Sequence, residues 1–215
     1  FREQPDLNWR NLELRAEMYS IIHFWLDLGV DGFRLDVINL IFKDKHLRKN
    51  PINFLFNKKK VYNRNRPSVY EVLTEFRKIL DKYPNKTSVG EIYSPPPGDP
   101  DLTARFQGNG SDMLHMAFDF STFFSTWSVE KYSEIISNYY RALPEEGWPC
   151  FVFSNHDLGR STNRWVFNFY KREKAKIRAI LLLTLKGTPF IYYGDEIGME
   201  NVNIPKKHIH DMYGK

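Results

Sequence analysis

Apolar positions along this chain switch repeatedly between a helical and an extended rhythm. Leu14, Met18, Ile21, Trp25 and Leu28 recur at three- and four-residue spacing, which predicts an amphipathic helix that Gly29 can end. Asp31-Gly32-Phe33-Arg34-Leu35-Asp36-Val37 then reads as a strand. Beyond a long polar stretch, Val69, Val72, Leu73, Phe76 and Leu80 predict a second helix, stopped by Pro84-Asn85. A strand follows over 88–92, and Pro95-Pro96-Pro97-Gly98 forces a loop behind it. A third strand is predicted over 113–118, a helix through Val129, Tyr132, Ile136, Tyr139 and Leu143, and a fourth strand over 150–153. The last helix runs over 171–186, closed by Gly187, and a fifth strand over 189–193 ends at Gly194.

Strands that alternate with helices imply a parallel sheet. The chain holds no Gly-x-Gly-x-x-Gly and no phosphate-binding P-loop, so doubly wound nucleotide-binding folds lose their best signature. A (β/α)₈ barrel is the better α/β reading, but such barrels take about 250 residues. Five strands in 215 residues predict an incomplete barrel that fills the whole chain, 1–215, as one unit.

Composition narrows this little further. A hydrophobic share of 42% supports one core, and 27% charged residues exclude a disordered tail. No apolar run approaches the roughly 18 residues of a membrane helix; the best, 179–185, is flanked by Arg178 and Lys186. The first residues, Phe1-Arg2-Glu3-Gln4-Pro5, carry neither an initiator Met nor a secretory signal. Cys150 is the lone cysteine, which excludes an intramolecular disulfide and any cysteine-based metal site; a reducing cytoplasm fits both features. The net charge of +5 gathers between Lys43 and Arg66, with Lys58-Lys59-Lys60 inside. Without a periodic basic face, and with Phe54, Phe56 and Tyr62 interleaved, that run reads as a solvated loop rather than a surface for nucleic acid or a phosphorylated ligand. Aromatics at 16% suit sugar rings, and they suit a large core equally well.

Chemistry enters through three acids placed after strands: Asp36, Glu91 and Asp157. Barrel enzymes keep their active groups at the C-terminal ends of strands, and carboxylates there need compensation for lost hydration. Arg34 and Asp36 are two apart, so they share one strand face while Phe33, Leu35 and Val37 share the other and should pack under helices. A guanidinium beside Asp36 favours its ionised form, which a glycosyl nucleophile requires; a purely structural Arg–Asp pair is the alternative. Gly90 leaves room beside Glu91, and Ile92 and Tyr93 give it an apolar setting that would hold a proton for a leaving group. Ser154-Asn155-His156-Asp157 ends the fourth strand and can hold sugar hydroxyls. A Ser–His–Asp triad is the rival reading, but no Gly-x-Ser-x-Gly elbow presents a serine. A metal site at His156 and Asp157 lacks a spaced set of further ligands.

In this order the motifs resemble glycoside hydrolase family 13, the α-amylase family. Gln4-Pro5-Asp6-Leu7-Asn8 is similar to the segment closing that family's inserted small domain. The run Gly32 to Asn39 resembles the nucleophile segment, Val89-Gly90-Glu91-Ile92 the acid/base segment, and Phe153-Ser154-Asn155-His156-Asp157 that of the third carboxylate. The run Gly187 to Glu196 resembles the last barrel strand. The resemblance implies Asp36 as nucleophile, Glu91 as general acid/base and Asp157 as stabiliser of a distorted sugar. It implies Arg34, His156 and Arg160 as substrate-binding, and Val37 beside the nucleophile as a mark of α-1,6 specificity within the α-glucosidase and oligo-1,6-glucosidase branch. The implied substrate is an oligosaccharide or small α-glucoside, with trehalose-6-phosphate hydrolases in the same branch. No cofactor, metal, nucleic acid or membrane partner is implied.

The five strands correspond by this resemblance to strands 4 to 8. The family's first strands and small domain have no counterpart here, so the partner expected is that missing N-terminal part. A non-catalytic reading, as in the amylase-like heavy chains of amino-acid transporters, also stands open. The presence of all three acids favours an enzyme.

Overall fold

A computed structural model describes residues 5–51, 61–93, 98–164 and 170–210. Lys58-Lys59-Lys60, Phe54, Phe56 and the loop prolines 95–97 lie outside the described residues. Helices α1 (Leu12–Asp27), α2 (Ser68–Leu80), α3 (Pro100–Arg105), α4 (Val129–Ala142) and α5 (Lys171–Thr184) alternate with strands β1 (Gly32–Leu35), β2 (Thr87–Gly90), β3 (Met116–Ala117), β4 (Cys150–Val152) and β5 (Thr188–Phe190). Side-chain caps start three of the helices. Asn11 accepts from the Glu13 and Leu14 amides, Asp99 from Leu102, and Ser128 from Lys131.

All strand pairs are parallel. β1, β2 and β3 form one sheet in sequence order and β4 pairs with β5. A bridge between Asp119 and Phe151, with the Asp119 amide donating to the Cys150 carbonyl at 3.2 Å, links the two sheets. Neighbours in space are therefore neighbours in sequence, the order in which repeated β–α units wind one way.

Residue alternation sorts the side chains into two layers. Val89, Met116, Phe118, Phe120, Cys150, Val152 and Phe190 cluster on one face. Phe33, Leu35 and Ala117 pack with Val69, Leu73, Phe76 and Leu80 of α2 on the other, and Phe151 and Phe153 pack with Tyr132 and Tyr139 of α4.

Two expectations need correction. Val37 does not continue the outward face of Phe33 and Leu35: the strand ends at Leu35, and Val37 turns into a left-handed conformation at φ +37°. The apolar stripe of α1 is also not covered, since Ile21, Phe24, Trp25 and Leu28 are exposed and only Arg15 and Leu26 are buried in that helix. On the far side of the fold, Ile177, Ile180 and Leu183 of α5 are exposed in the same way. These are the helices beside β1 and β5, the outermost strands once the bridge between Asp119 and Phe151 joins the two sheets among the described residues.

Candidate active site

The register that pairs Leu35 with Gly90 puts Asp36 and Glu91 side by side, each one residue beyond its strand. Arg34 binds both. Its Nη1 donates to Asp36 Oδ1 at 2.7 Å and its Nη2 to Glu91 Oε2 at 2.6 Å. One planar guanidinium gripping two carboxylates limits those two oxygens to a separation of about 8 Å at most. The two acids differ sharply in setting: the Asp36 side chain is 70% exposed and that of Glu91 only 7%. Burial pushes the Glu91 carboxyl above the usual glutamate range. The Arg34 charge opposes that shift, a hydrogen bond with Asp36 and the Asp36 charge reinforce it, and the Val37 amide, 3.4 Å from Oε2, acts weakly against it.

Gly90 has a different use from the one its sequence suggests. The space a Cβ would occupy is filled by Leu114, 2.3 Å from that position, and by Ile38. The glycine thus lets the core close under Glu91 rather than leaving it room. Val37 holds a β-branched side chain in the left-handed region, a conformation that costs about 1–3 kcal/mol and persists only where neighbours enforce it. The enforcing contacts are the backbone bonds from Ile38 N to Glu91 O (3.1 Å) and from Leu40 N to Val37 O (2.8 Å).

Asn39, to which the sequence alone assigned no task, is 1% exposed and bonds the backbone of Tyr93 in both directions. Arg64, inside the basic run, is not solvated: it is buried, with its guanidinium 5.5 Å from the centre of the Tyr93 ring. Arg48 and Arg66 in that run share Asp44 as a partner.

Behind β4, Asn155 Oδ1 accepts from the amides of Asp157 and Leu158, a local turn that presents His156 and Asp157 to solvent. His156 Nε2 lies 3.4 Å from Asp157 Oδ1. Among the described residues no hydrogen bond or ion pair joins Asp157 to Asp36 or Glu91; these acids share the strand-end side but not direct contact. Ser154 turns inward and donates to Asp195 at 2.9 Å. Arg160 is a strut between the loops behind β4 and β5. Its Nη1 donates to the Tyr193 carbonyl at 2.7 Å, its amide to Asn201, and its guanidinium lies about 5 Å from the Tyr192 and Tyr193 rings. Gly194, at φ +89°, permits this approach, since a Cβ there would stand 2.8 Å from Arg160 Nη1.

Two hollows, of about 400 and 230 Å³, lie between α1 and α2 and between α3 and α4, away from the carboxylates.

A family model described as alpha amylase, catalytic domain, matches residues 1–213. The chain belongs to the α-amylase family. Among its relatives are a probable α-glucosidase of Rhizobium meliloti, 34% identical over 98% of this chain and 41% of that protein, and an oligo-1,6-glucosidase of Parageobacillus thermoglucosidasius, 36% identical over 95% and 38%. Among solved structures it resembles the α-glucosyl transfer enzyme XgtA, with a TM-score of 0.86 and 32% identity over 97% of this chain and 41% of that one. It also resembles a trehalose-6-phosphate hydrolase of Bacillus licheniformis, with a TM-score of 0.71 and 30% identity over 91% and 36%. This α-amylase-family chain thus spans about two fifths of the length of the relatives it matches. No helix among its described residues is long and apolar enough to cross a membrane.

Proposed function

We propose that this chain carries the nucleophile and the acid/base of a retaining α-glucosidase that releases glucose from α-1,4 or α-1,6 glucosides. The observation that supports it best is the Arg34 bridge between an exposed Asp36 and a buried Glu91 whose proton is held above the usual range. Two carboxyls of unlike environment, close together, are the requirement of retention. Asp36 attacks the anomeric carbon from the β face while Glu91 donates its proton to the departing glycosidic oxygen. The product is a β-glucosyl ester on Asp36. Glu91, now a base, then takes a proton from water, whose oxygen attacks the same carbon and expels Asp36 with net retention. Arg34 stays paired with Asp36 before and after, and loses that partner's charge while the ester exists. In this reading Asp157 and His156 hold hydroxyls of the same sugar, Arg160 fixes the loop that carries them, and Val37 favours α-1,6 bonds.

The same reading takes residues 1–215 as strands 4 to 8 of a (β/α)₈ domain. The remaining strands and small domain would cover β1, β5 and the apolar residues exposed on α1 and α5. The 215-residue chain alone is then expected to hydrolyse p-nitrophenyl α-glucoside no faster than its Asp36→Ala variant, because without those remaining parts water would enter the site and weaken each electrostatic contact. Turnover well above that control would show a self-sufficient site. A trehalose-6-phosphate hydrolase is the second reading, favoured by the likeness to that enzyme. A panel of maltose, isomaltose and trehalose 6-phosphate, assayed with the complete domain, separates the two.

Glu91→Gln supplies the test of roles. With maltose, whose leaving group needs a proton, the variant should lose roughly 10²- to 10⁴-fold in kcat/KM. The first-turnover burst on p-nitrophenyl α-glucoside should survive, since p-nitrophenolate leaves unaided. Equal loss on both substrates removes Glu91 from the acid's role.

A further inference from the structure

Past Leu35 and Gly90 the backbone ladder between β1 and β2 runs on for only two bonds, Glu91 N to Leu35 O at 2.9 Å and Ile38 N to Glu91 O at 3.1 Å. The chain behind β1 then turns away through Val37 and the 3₁₀ turn Ile38–Leu40. From there a side chain replaces the ladder. Asn39 Oδ1 accepts the Tyr93 amide at 3.1 Å, and Asn39 Nδ2 donates to the Tyr93 carbonyl at 2.7 Å. The same nitrogen donates to Asn65 Oδ1 at 2.7 Å, and the Asn65 amide returns a bond to the Asn39 carbonyl at 2.8 Å. A carboxamide offers an acceptor and a donor on one edge, as a peptide group does, so it can pair with the N–H and C=O of a single residue. Aspartate lacks the donor and leucine lacks both groups.

We propose that Asn39 is a positioning residue whose buried carboxamide, clasped to the Tyr93 backbone and braced by Asn65, holds Glu91 at its working distance from Asp36. This rests on the roles assigned above to those two acids. Residues 34–39 carry Asp36, residues 91–93 carry Glu91, and the bonds between the segments include the Ile38 and Leu35 backbone bonds, the Val37 amide to the Glu91 carboxylate, the Arg34 bridge, the Asp36–Glu91 hydrogen bond and this clasp. Retention needs the two carboxyls within a narrow spacing, and small displacements there are costly. Freeing Tyr93 loosens the segment just behind Glu91 and lets water reach a carboxyl whose proton is held chiefly by burial.

The test uses the 215-residue chain with ¹³C-labelled glutamate, the Glu91 resonance being the one absent in Glu91→Gln. Its titration midpoint should fall toward the ordinary glutamate range in Asn39→Ala, fall less in Asn65→Ala, and stay put in Val69→Ala, a cavity in the buried face of α2. An unmoved midpoint in Asn39→Ala overturns the proposal. If that variant does not fold, an unmoved midpoint in Asn65→Ala overturns it instead. In the complete domain, Asn39→Ala should lower kcat roughly ten- to a hundredfold with little change in KM, and should move the alkaline limb of the pH profile down. Wild-type kcat and limb in that variant, beside inactive Asp36→Ala, overturn the clasp alone. An active Asp36→Ala overturns the reading beneath it.

Discussion

Replacing Asp36 by alanine in the complete domain is expected to lower turnover by on the order of 10⁴-fold or more, the scale on which removing a nucleophile acts. Two effects combine. The variant has no oxygen to form the glucosyl ester. It also disturbs the acid: Asp36 raises the Glu91 carboxyl through a hydrogen bond and through its charge, and without it Arg34 faces Glu91 alone. Both changes favour the ionised Glu91, so the proton needed by the leaving group is lost at a lower pH than in the parent. The alkaline limb of any residual activity should therefore move downward. Azide is small enough to enter the vacated β face, and with an activated aryl α-glucoside it should yield β-glucosyl azide, identified by NMR. Residual activity within tenfold of the parent, or an azide product of α configuration, would remove Asp36 from the nucleophile's place.

What could be read in advance follows from how local each signal is. The five strands and four of the helices each overlap the segment predicted for them, but β3 is only Met116–Ala117 of the predicted 113–118 and β5 ends at Phe190 rather than at 193. α3 was not visible because six residues are too few for a helical period to show, although Asp99-Pro100 is a helix start in capping terms. Strand ends were less legible. The run 31–37 looks continuous, but parallel pairing with β2 stops at Leu35 and Val37 is forced out of extended geometry by contacts with Glu91, more than fifty residues away. The Arg34–Asp36 pair follows from strand parity alone, while the reach of Arg34 to Glu91 depends on register and could not. The uncovered stripe of α1 is the converse case: its period is right, and its burial depends on neighbours absent from the described residues.

Asp119 shows what the same signal means on the opposite face. Like Asp36 it is an acid just beyond an apolar strand, and sequence position alone gives no reason to treat it differently. Parity separates them. Met116, Phe118 and Phe120 join the cluster of Val89 and Val152, so Asp119 points with Ala117 toward the helices. There it is buried, with Oδ1 accepting from the Ser121 amide and hydroxyl and with Oδ2 lacking a hydrogen-bond partner among the described residues. No substrate reaches that face, so the consequence falls on stability rather than on chemistry.

Asp119→Asn is accordingly expected to stabilise the chain at neutral pH and not in acid. Burial pushes the Asp119 carboxyl up to about 6, against 3.8 when unperturbed, with the two Ser121 bonds opposing. Between those values the folded state holds a proton that the unfolded state has released, so stability falls as pH rises through that window. The contribution is most favourable below 3.8, and above 6 the full cost of a buried charge applies, about 3 kcal/mol. Asparagine keeps the acceptor for Ser121 and carries no charge. Its amide nitrogen stands where Oδ2 lacks a partner, and an unpaired donor there takes back about 1–3 kcal/mol. A net gain of about 1 kcal/mol remains at pH 7.5, which is about 2–4 °C in Tm for a chain of this size. At pH 4 the aspartate is itself neutral in the fold, so most of its charge cost is gone while the unpaired amide donor of asparagine remains, and the variant should melt below the parent. Thermal unfolding at both pH values checks this, and a Tm difference of the same size at each would mean that the Asp119 charge is not what separates them.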